Sequence, residues 1–363
     1  MLGKSNKRGI MKLSSVGKFL DQPLLTNTLS RKMPQILVGT AFAWGAYDTF
    51  KKPKEERKKT AIKNAIILTS ITAASIIGAK GIKINGESLI EAIPKKNIVE
   101  KQTRAINKFI KQNELKNPEM LEILNRAKEK MLTLGQVDKL SEQMPKYKGV
   151  KELGDALFGA KNDINSKEVF GEIAKLSTMG AIPVASGILG GIAADKAVGE
   201  YTPEKTSNKV KEGIYQFLAN IFMCNVGAGS FLYVAEKMSE KGVIKNLTPL
   251  KKTGVILCGI LCVGVLGGNK IANFIGEKVV NPLTNKMICK GDKKCEKNER
   301  KPEALDVALH TDDIATAGVL SGLKWVEPLL PVMYLVSGYR SAIGYRNDDK
   351  NCTELDKTAV ASS

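Results

Sequence analysis

GILGGIAADKAVGEYTPEKTSNK, residues 187–209, can be laid without a gap on GVLGGNKIANFIGEKVVNPLTNK, residues 264–286. The two agree at 8 of 23 positions: Gly187/Gly264, Leu189/Leu266, Gly190/Gly267, Gly191/Gly268, Gly199/Gly276, Glu200/Glu277, Asn208/Asn285 and Lys209/Lys286. Each copy ends a long uncharged segment and runs into a basic loop. Gly187 and Gly191 are four apart, as are Gly264 and Gly268. Glycines at that spacing let two helix backbones approach closely, and in lipid such packing replaces the drive that water supplies. These four residues are the expected helix contacts. The reading is an all-α, polytopic membrane protein built from repeated hairpins.

Working outward, Met33–Phe50 and Thr60–Ala79 are apolar runs of 18 and 20 residues joined by KKPKEERKK. About 20 residues cross about 30 Å of hydrocarbon. Trp44 and Tyr47 sit where interfacial aromatics belong. Lys63, near the start of the second run, is expected to reach the headgroups. Further uncharged runs cover Leu176–Ala194, Gly213–Ala235 and Thr253–Asn269. A last apolar region, Ile314–Tyr339, holds Lys324, Trp325, Glu327, Pro328 and Pro331, and reads either as one kinked crossing or as two short helices meeting at the prolines. The sum is about six transmembrane helices in three hairpins, with the repeats parallel.

The expected segments are a basic N-terminal stretch (1–32), hairpin 1 (33–79), an extramembrane amphipathic helical insertion (80–165), hairpin 2 (166–238), hairpin 3 with a basic, Cys-containing loop (239–345), and a polar tail (346–363). In the insertion, Val99, Gln102, Ile106, Phe109 and Ile110 form one stripe; Met120, Leu124, Ala127, Met131 and Leu134 form another. Both have helical spacing. Asn117-Pro118-Glu119 reads as a helix start, and Gly135 as its close. The stripes are expected to pack on one another.

Formal charge is +19, from 56 Lys and Arg against 37 Asp and Glu. With uncharged runs in the same chain, that excess suits a lipid bilayer with anionic headgroups. Nucleic acid is not expected, because no aromatic-interleaved basic stretch is present. A homo-oligomer or a helical protein partner fits the Gly-lined faces. Six crossings in three hairpins is also the plan of the mitochondrial carrier family, but that family's Pro-x-acid-x-x-base signature is absent, so no membership follows.

No catalytic set and no cofactor fingerprint is found, so an enzyme is not expected. Asp306, His310 and Asp313 share a spacing, yet one His is a thin basis for a metal, and none is assigned. Cys258 and Cys262 are expected to pack closely on a helix face, and Cys289 and Cys295 could form a disulfide in an oxidising compartment. Asp195 and Lys196 are expected to pair at the interface. Lys324 and Glu327, three apart in an apolar region, are the candidate transport path. The function expected first is a non-enzymatic scaffold or assembly component of a bacterial inner membrane or an organelle membrane. The alternative is a transporter or channel with its path between the repeats.

Overall fold

The structure, a computed structural model, describes residues 13–84, 86–90, 93–159, 166–244, 247, 249–290, 311–320 and 323–344. Cys295, Asp306, His310 and the tail 346–363 lie outside them, as does the side chain of Asp313. In chain order the helices are α1 (Leu13–Leu20), α2 (Pro23–Lys51), α3 (Lys54–Gly81), α4 (Lys95–Asn113), α5 (Pro118–Ala127), α6 (Leu134–Gln143) and α7 (Val150–Phe158). They continue as α8 (Ser166–Ala197), α9 (Pro203–Phe217), α10 (Met223–Glu240), α11 (Pro249–Gly259), α12 (Gly268–Ile275), α13 (Asn281–Met287), α14 (Thr311–Leu320) and α15 (Leu330–Ile343). The only sheet among the described residues pairs β1 (Lys83–Ile84) with β2 (Glu87–Ser88) around Gly86, whose φ of +87° is the left-handed turn conformation that favours glycine.

The chain divides into two compact units, 1–32 with 91–163 and 322–328, and 33–90 with 164–321 and 329–363. In the first, the α4 stripe turns Ile106 and Phe109 inward, where they meet Met120, Ile123 and Leu124 of α5, Val137 and Leu140 of α6, and Leu153 and Leu157 of α7. Here the expected second helix is shorter than its apolar pattern. Asn117 caps α5 by accepting from the Met120 amide, but α5 ends at Ala127. Thr133 then opens α6 with a capping box, its hydroxyl accepting from the Gln136 amide while the Gln136 side chain accepts from the Thr133 amide. Gly135 lies inside α6 instead of closing a helix, Met131 is exposed, and Leu132 takes the buried place. Gln22 pins that break, its Oε1 accepting from the Leu132 amide at 2.7 Å and its Nε2 donating to the Leu132 carbonyl at 3.0 Å. Thr133→Ala should cost about 1 kcal/mol in chemical unfolding; a variant with unchanged midpoint would show that the Gln22 contacts alone fix this turn.

The second unit contains four helical segments long and apolar enough to cross a membrane: Lys54–Gly81, Val169–Ala197, Pro203–Glu240 and Lys251–Met287. They are consistent with an integral membrane protein. Side chains such as Ile77, Leu189, Leu266 and Phe274 stay exposed on them, as lipid-facing residues do. Two of the four are not plain α-helices. Leu218–Phe222 is π-helical between α9 and α10, Ile260–Val265 follows α11, and Gly276–Val280 joins α12 to α13.

The repeated stretches take different backbone paths. The first copy stops at Gly199, which has φ +72°. The Glu200 amide donates to the Asp195 carbonyl at 2.8 Å and the Gly199 amide to the Lys196 carbonyl at 3.2 Å, a Schellman C-cap. The Thr202 hydroxyl then accepts from the Lys205 amide and Pro203 starts α9. In the second copy, Gly276 keeps right-handed helical angles and the chain runs on through the π-helical turn. The matched Gly-Glu dipeptide is a helix stop only where a new cap follows it.

Two further expectations are corrected. Ile314–Tyr339 is broken, with α14 ending at Leu320 and α15 starting at Leu330 after a 3-10 turn over Glu327–Leu329. Cys258 and Cys262 are exposed, not closely packed, whereas Cys224 is buried.

Candidate functional site

The Schellman turn after α8 sets Asp195 and Glu200 side by side at the end of an apolar helix, and that is where the charges of the second unit gather. Asp195, 4% exposed, bridges Lys63 of α3 at 2.9 Å and Lys209 of α9 at 2.7 Å. Glu200 pairs with Lys59, with Lys63 at 2.5 Å and with Lys205 at 3.0 Å. Lys63 therefore turns to two carboxylates and not to headgroups, and Asp195 pairs with Lys63 and Lys209 instead of Lys196. The Lys196 ammonium lies 5.0 Å from the centre of the Tyr201 ring. Lys209 is 4% exposed and packs against the backbone where Gly191 meets α15.

Beside this cluster is a cavity of about 400 Å³ lined by Asp48, Lys59, Lys63, Asn64, Asp195, Glu200, Lys209 and Tyr339, among others. Asp48 ends the apolar part of α2. Its Oδ2 accepts from Asn64 Nδ2 at 3.0 Å and from the Tyr339 hydroxyl at 2.9 Å, and that hydroxyl also lies 2.7 Å from Asn64 Oδ1.

A second set of polar groups continues from Lys209 along one face of α9. Glu212, Gln216 and Asn220 are four residues apart and almost fully buried. Gln216 Nε2 donates to Glu212 Oε1 at 2.7 Å, and Asn220 Nδ2 donates to Gln216 Oε1 at 2.7 Å. Arg340 of α15 faces Glu212, with Nε 3.6 Å from Oε1. Further along, Asn225 Nδ2 donates to the Ser177 hydroxyl at 3.3 Å. The ladder passes through the π-helical turn Leu218–Phe222, and such turns recur at functional sites.

The sequence reading missed this ladder because Gln and Asn carry no charge and the segment passed as uncharged. Its signal was present as polar residues at i, i+4 and i+8 inside an apolar run. The four expected contact glycines all meet backbone or side chain of another helix in the same chain. A Cβ at Gly187 would lie 2.0 Å from the Gly338 carbonyl oxygen, and one at Gly191 2.2 Å from that of Ala342. A Cβ at Gly264 would lie 2.2 Å from Cys224 Sγ, and one at Gly268 2.9 Å from the Ala219 carbonyl oxygen. The two pairs thus face different partners, α15 and the α9–α10 helix. Lys324 and Glu327 belong to the other unit, where Lys324 is exposed on a turn and Glu327 starts the 3-10 turn. They do not share a face of a membrane helix. Among the described residues no group of His, Cys, Asp and Glu is arranged to hold a metal.

Lys59, and next to it Lys63, hold the Glu200 carboxyl well below its ordinary value of 4.5. A carboxylate depressed in the folded state stabilises fully above its unfolded value and loses that contribution as pH falls below it. The melting temperature in detergent should therefore fall below about pH 4.5, and Glu200→Gln should flatten part of that fall. A gap between wild type and variant that stays constant from pH 7 to pH 3, a span of about the unfolded carboxylate range and beyond, would contradict the assignment.

Comparison with protein-family models, with curated proteins and with solved structures found no match to this chain.

Proposed function

We propose that the chain is a non-enzymatic multi-pass membrane protein that carries a polar solute along the buried face of α9 and α10. The observation that supports this reading best is the Glu212–Gln216–Asn220 ladder with Arg340 beside it. Ionisable and amide side chains inside a membrane helix are expensive, and they recur where ions or polar substrates pass. In this reading six crossings form three hairpins: α2 from Met33 with α3, α8 with α9–α10, and α11–α13 with the interrupted pair α14 and α15. By their lengths of 10 and 14 residues, α14 and α15 rise about 15 and 21 Å, each short of about 30 Å of hydrocarbon. Discontinuous helices of this kind commonly border the substrate site of transporters. Residues 80–165 lie outside the bilayer, and the Lys-rich loops rest against anionic headgroups.

Two features first suggested a scaffold: Gly-lined faces and apolar stripes open to a partner. Both are occupied within the chain, the glycines by neighbouring helices and the stripes by the core of the first unit. That shifts the balance toward transport. The test is uptake by proteoliposomes of radiolabelled amino acids, organic cations and inorganic anions. Uptake of one class above protein-free vesicles is expected, lowered about tenfold, as a loss of about 1.4 kcal/mol gives, by Glu212→Gln. Lys324→Ala and Glu327→Ala should leave it unchanged, because the proposed path does not use them. No uptake of any class, or uptake indifferent to Glu212→Gln, would remove the transport reading.

A further inference from the structure

The cavity beside the ion cluster presents two unlike sets of charge. Lys59, Lys63, Lys205 and Lys209 share only Asp195 and Glu200, so four positive groups against two negative leave an excess of +2. Asp48 lines the same cavity and has the reverse character. Its hydrogen bonds come from neutral donors, Tyr339 and Asn64, and among the described residues no lysine or arginine is paired with it. Lys52 and Glu56, which also line the cavity, offset each other. A simple anion would meet the Asp48 carboxylate as a like charge, and a simple cation would meet the lysine excess.

We propose that this cavity binds a small zwitterion, its phosphate or carboxylate against Lys59, Lys63 and Lys209 and its ammonium against Asp48. Charge-assisted hydrogen bonds of both signs then act at once. The volume of about 400 Å³ falls in the range of about 300–1,000 Å³ usual for small-molecule sites. The cavity lies by the KKPKEERKK loop, at the end of the apolar run of α2. The same chemistry is available from two sources there, the phosphoethanolamine headgroup of a lipid or a free zwitterionic solute. This inference deepens the transport reading by naming a substrate class, and it rests on that reading only for the crossing step.

Binding is tested apart from flux, on the full chain in detergent. Phosphoethanolamine is expected to raise the melting temperature in a saturable way, whereas inorganic phosphate alone and ethylammonium alone do not. Asp48→Asn should weaken phosphoethanolamine binding by about tenfold or more. Lys59→Gln, at a half-exposed position, should weaken it too and serves if Asp48→Asn does not fold. In native mass spectrometry from mixed vesicles of phosphatidylethanolamine and phosphatidylglycerol, preferential retention of the former, lost in the variants, identifies the lipid as source; phosphoethanolamine binding without that retention identifies a free solute. Equal stabilisation by phosphate alone would overturn the proposal, as would absence of both phosphoethanolamine binding and lipid retention, or binding that ignores both substitutions. Zwitterion binding without uptake would leave the site standing and remove transport.

Discussion

Gly187→Ala is expected to destabilise the protein by about 3 kcal/mol, the upper end of the usual cost of overpacking. The added methyl carbon would lie 2.0 Å from the carbonyl oxygen of Gly338 and 2.8 Å from its carbonyl carbon. Both are backbone atoms, so no side-chain rotation relieves the clash and α8 must part from α15. The contact is tight from the other side as well, since a Cβ on Gly338 would come 2.5 Å from the Pro183 carbonyl oxygen. Gly39 is the control. It lies in the interior of α2, and a methyl added there would have nothing within 4 Å, so Gly39→Ala should be neutral or stabilise by about 0.5–1 kcal/mol. Thermal unfolding of detergent-purified variants separates the two cases. Equal melting temperatures for Gly187→Ala and Gly39→Ala would contradict the packing of α8 on α15.

Asp195→Ala should cost about 3–5 kcal/mol, the range for removing one partner of a buried ion pair. The reason is less the lost attraction than what remains: Lys209, 4% exposed, and Lys63, its companion, would keep positive charge with one carboxylate between them and neighbouring lysines. The double change Asp195→Leu with Lys209→Met removes both deeply buried charges and should recover most of that loss. A double-mutant cycle reads the coupling directly. If the two single effects simply add, Asp195 and Lys209 are not paired in the folded protein.

The helical class and the long apolar segments were legible because uncharged runs near 20 residues have few other uses. The amphipathic stripes of α4 and α5 were legible because 3.6-residue periodicity is local. What misled was reading identity as geometry. Gly199 and Gly276 match in sequence, yet Thr202 and Pro203 cap a new helix after the first, while Val279 and Val280 carry the helix on after the second. The same error lengthened α5, although Thr133 and Gln136 already spelled a capping box. The site was the least legible part. Lys63, Asp195 and Lys209 are separated by 132 and 14 residues in a sequence that gives no local sign of their meeting, and the amide ladder of α9 was hidden by counting charges alone. Tyr339 and Arg340 were invisible for a further reason, since the prolines drew attention to Lys324 and Glu327 instead.

The central claim is that Lys54–Gly81, Val169–Ala197, Pro203–Glu240 and Lys251–Met287 are solvated by lipid. Extraction of membranes with alkaline carbonate tests it most directly. The account predicts that the protein stays in the pellet and leaves it only with detergent. Recovery in the aqueous supernatant as a folded, monodisperse species would contradict it.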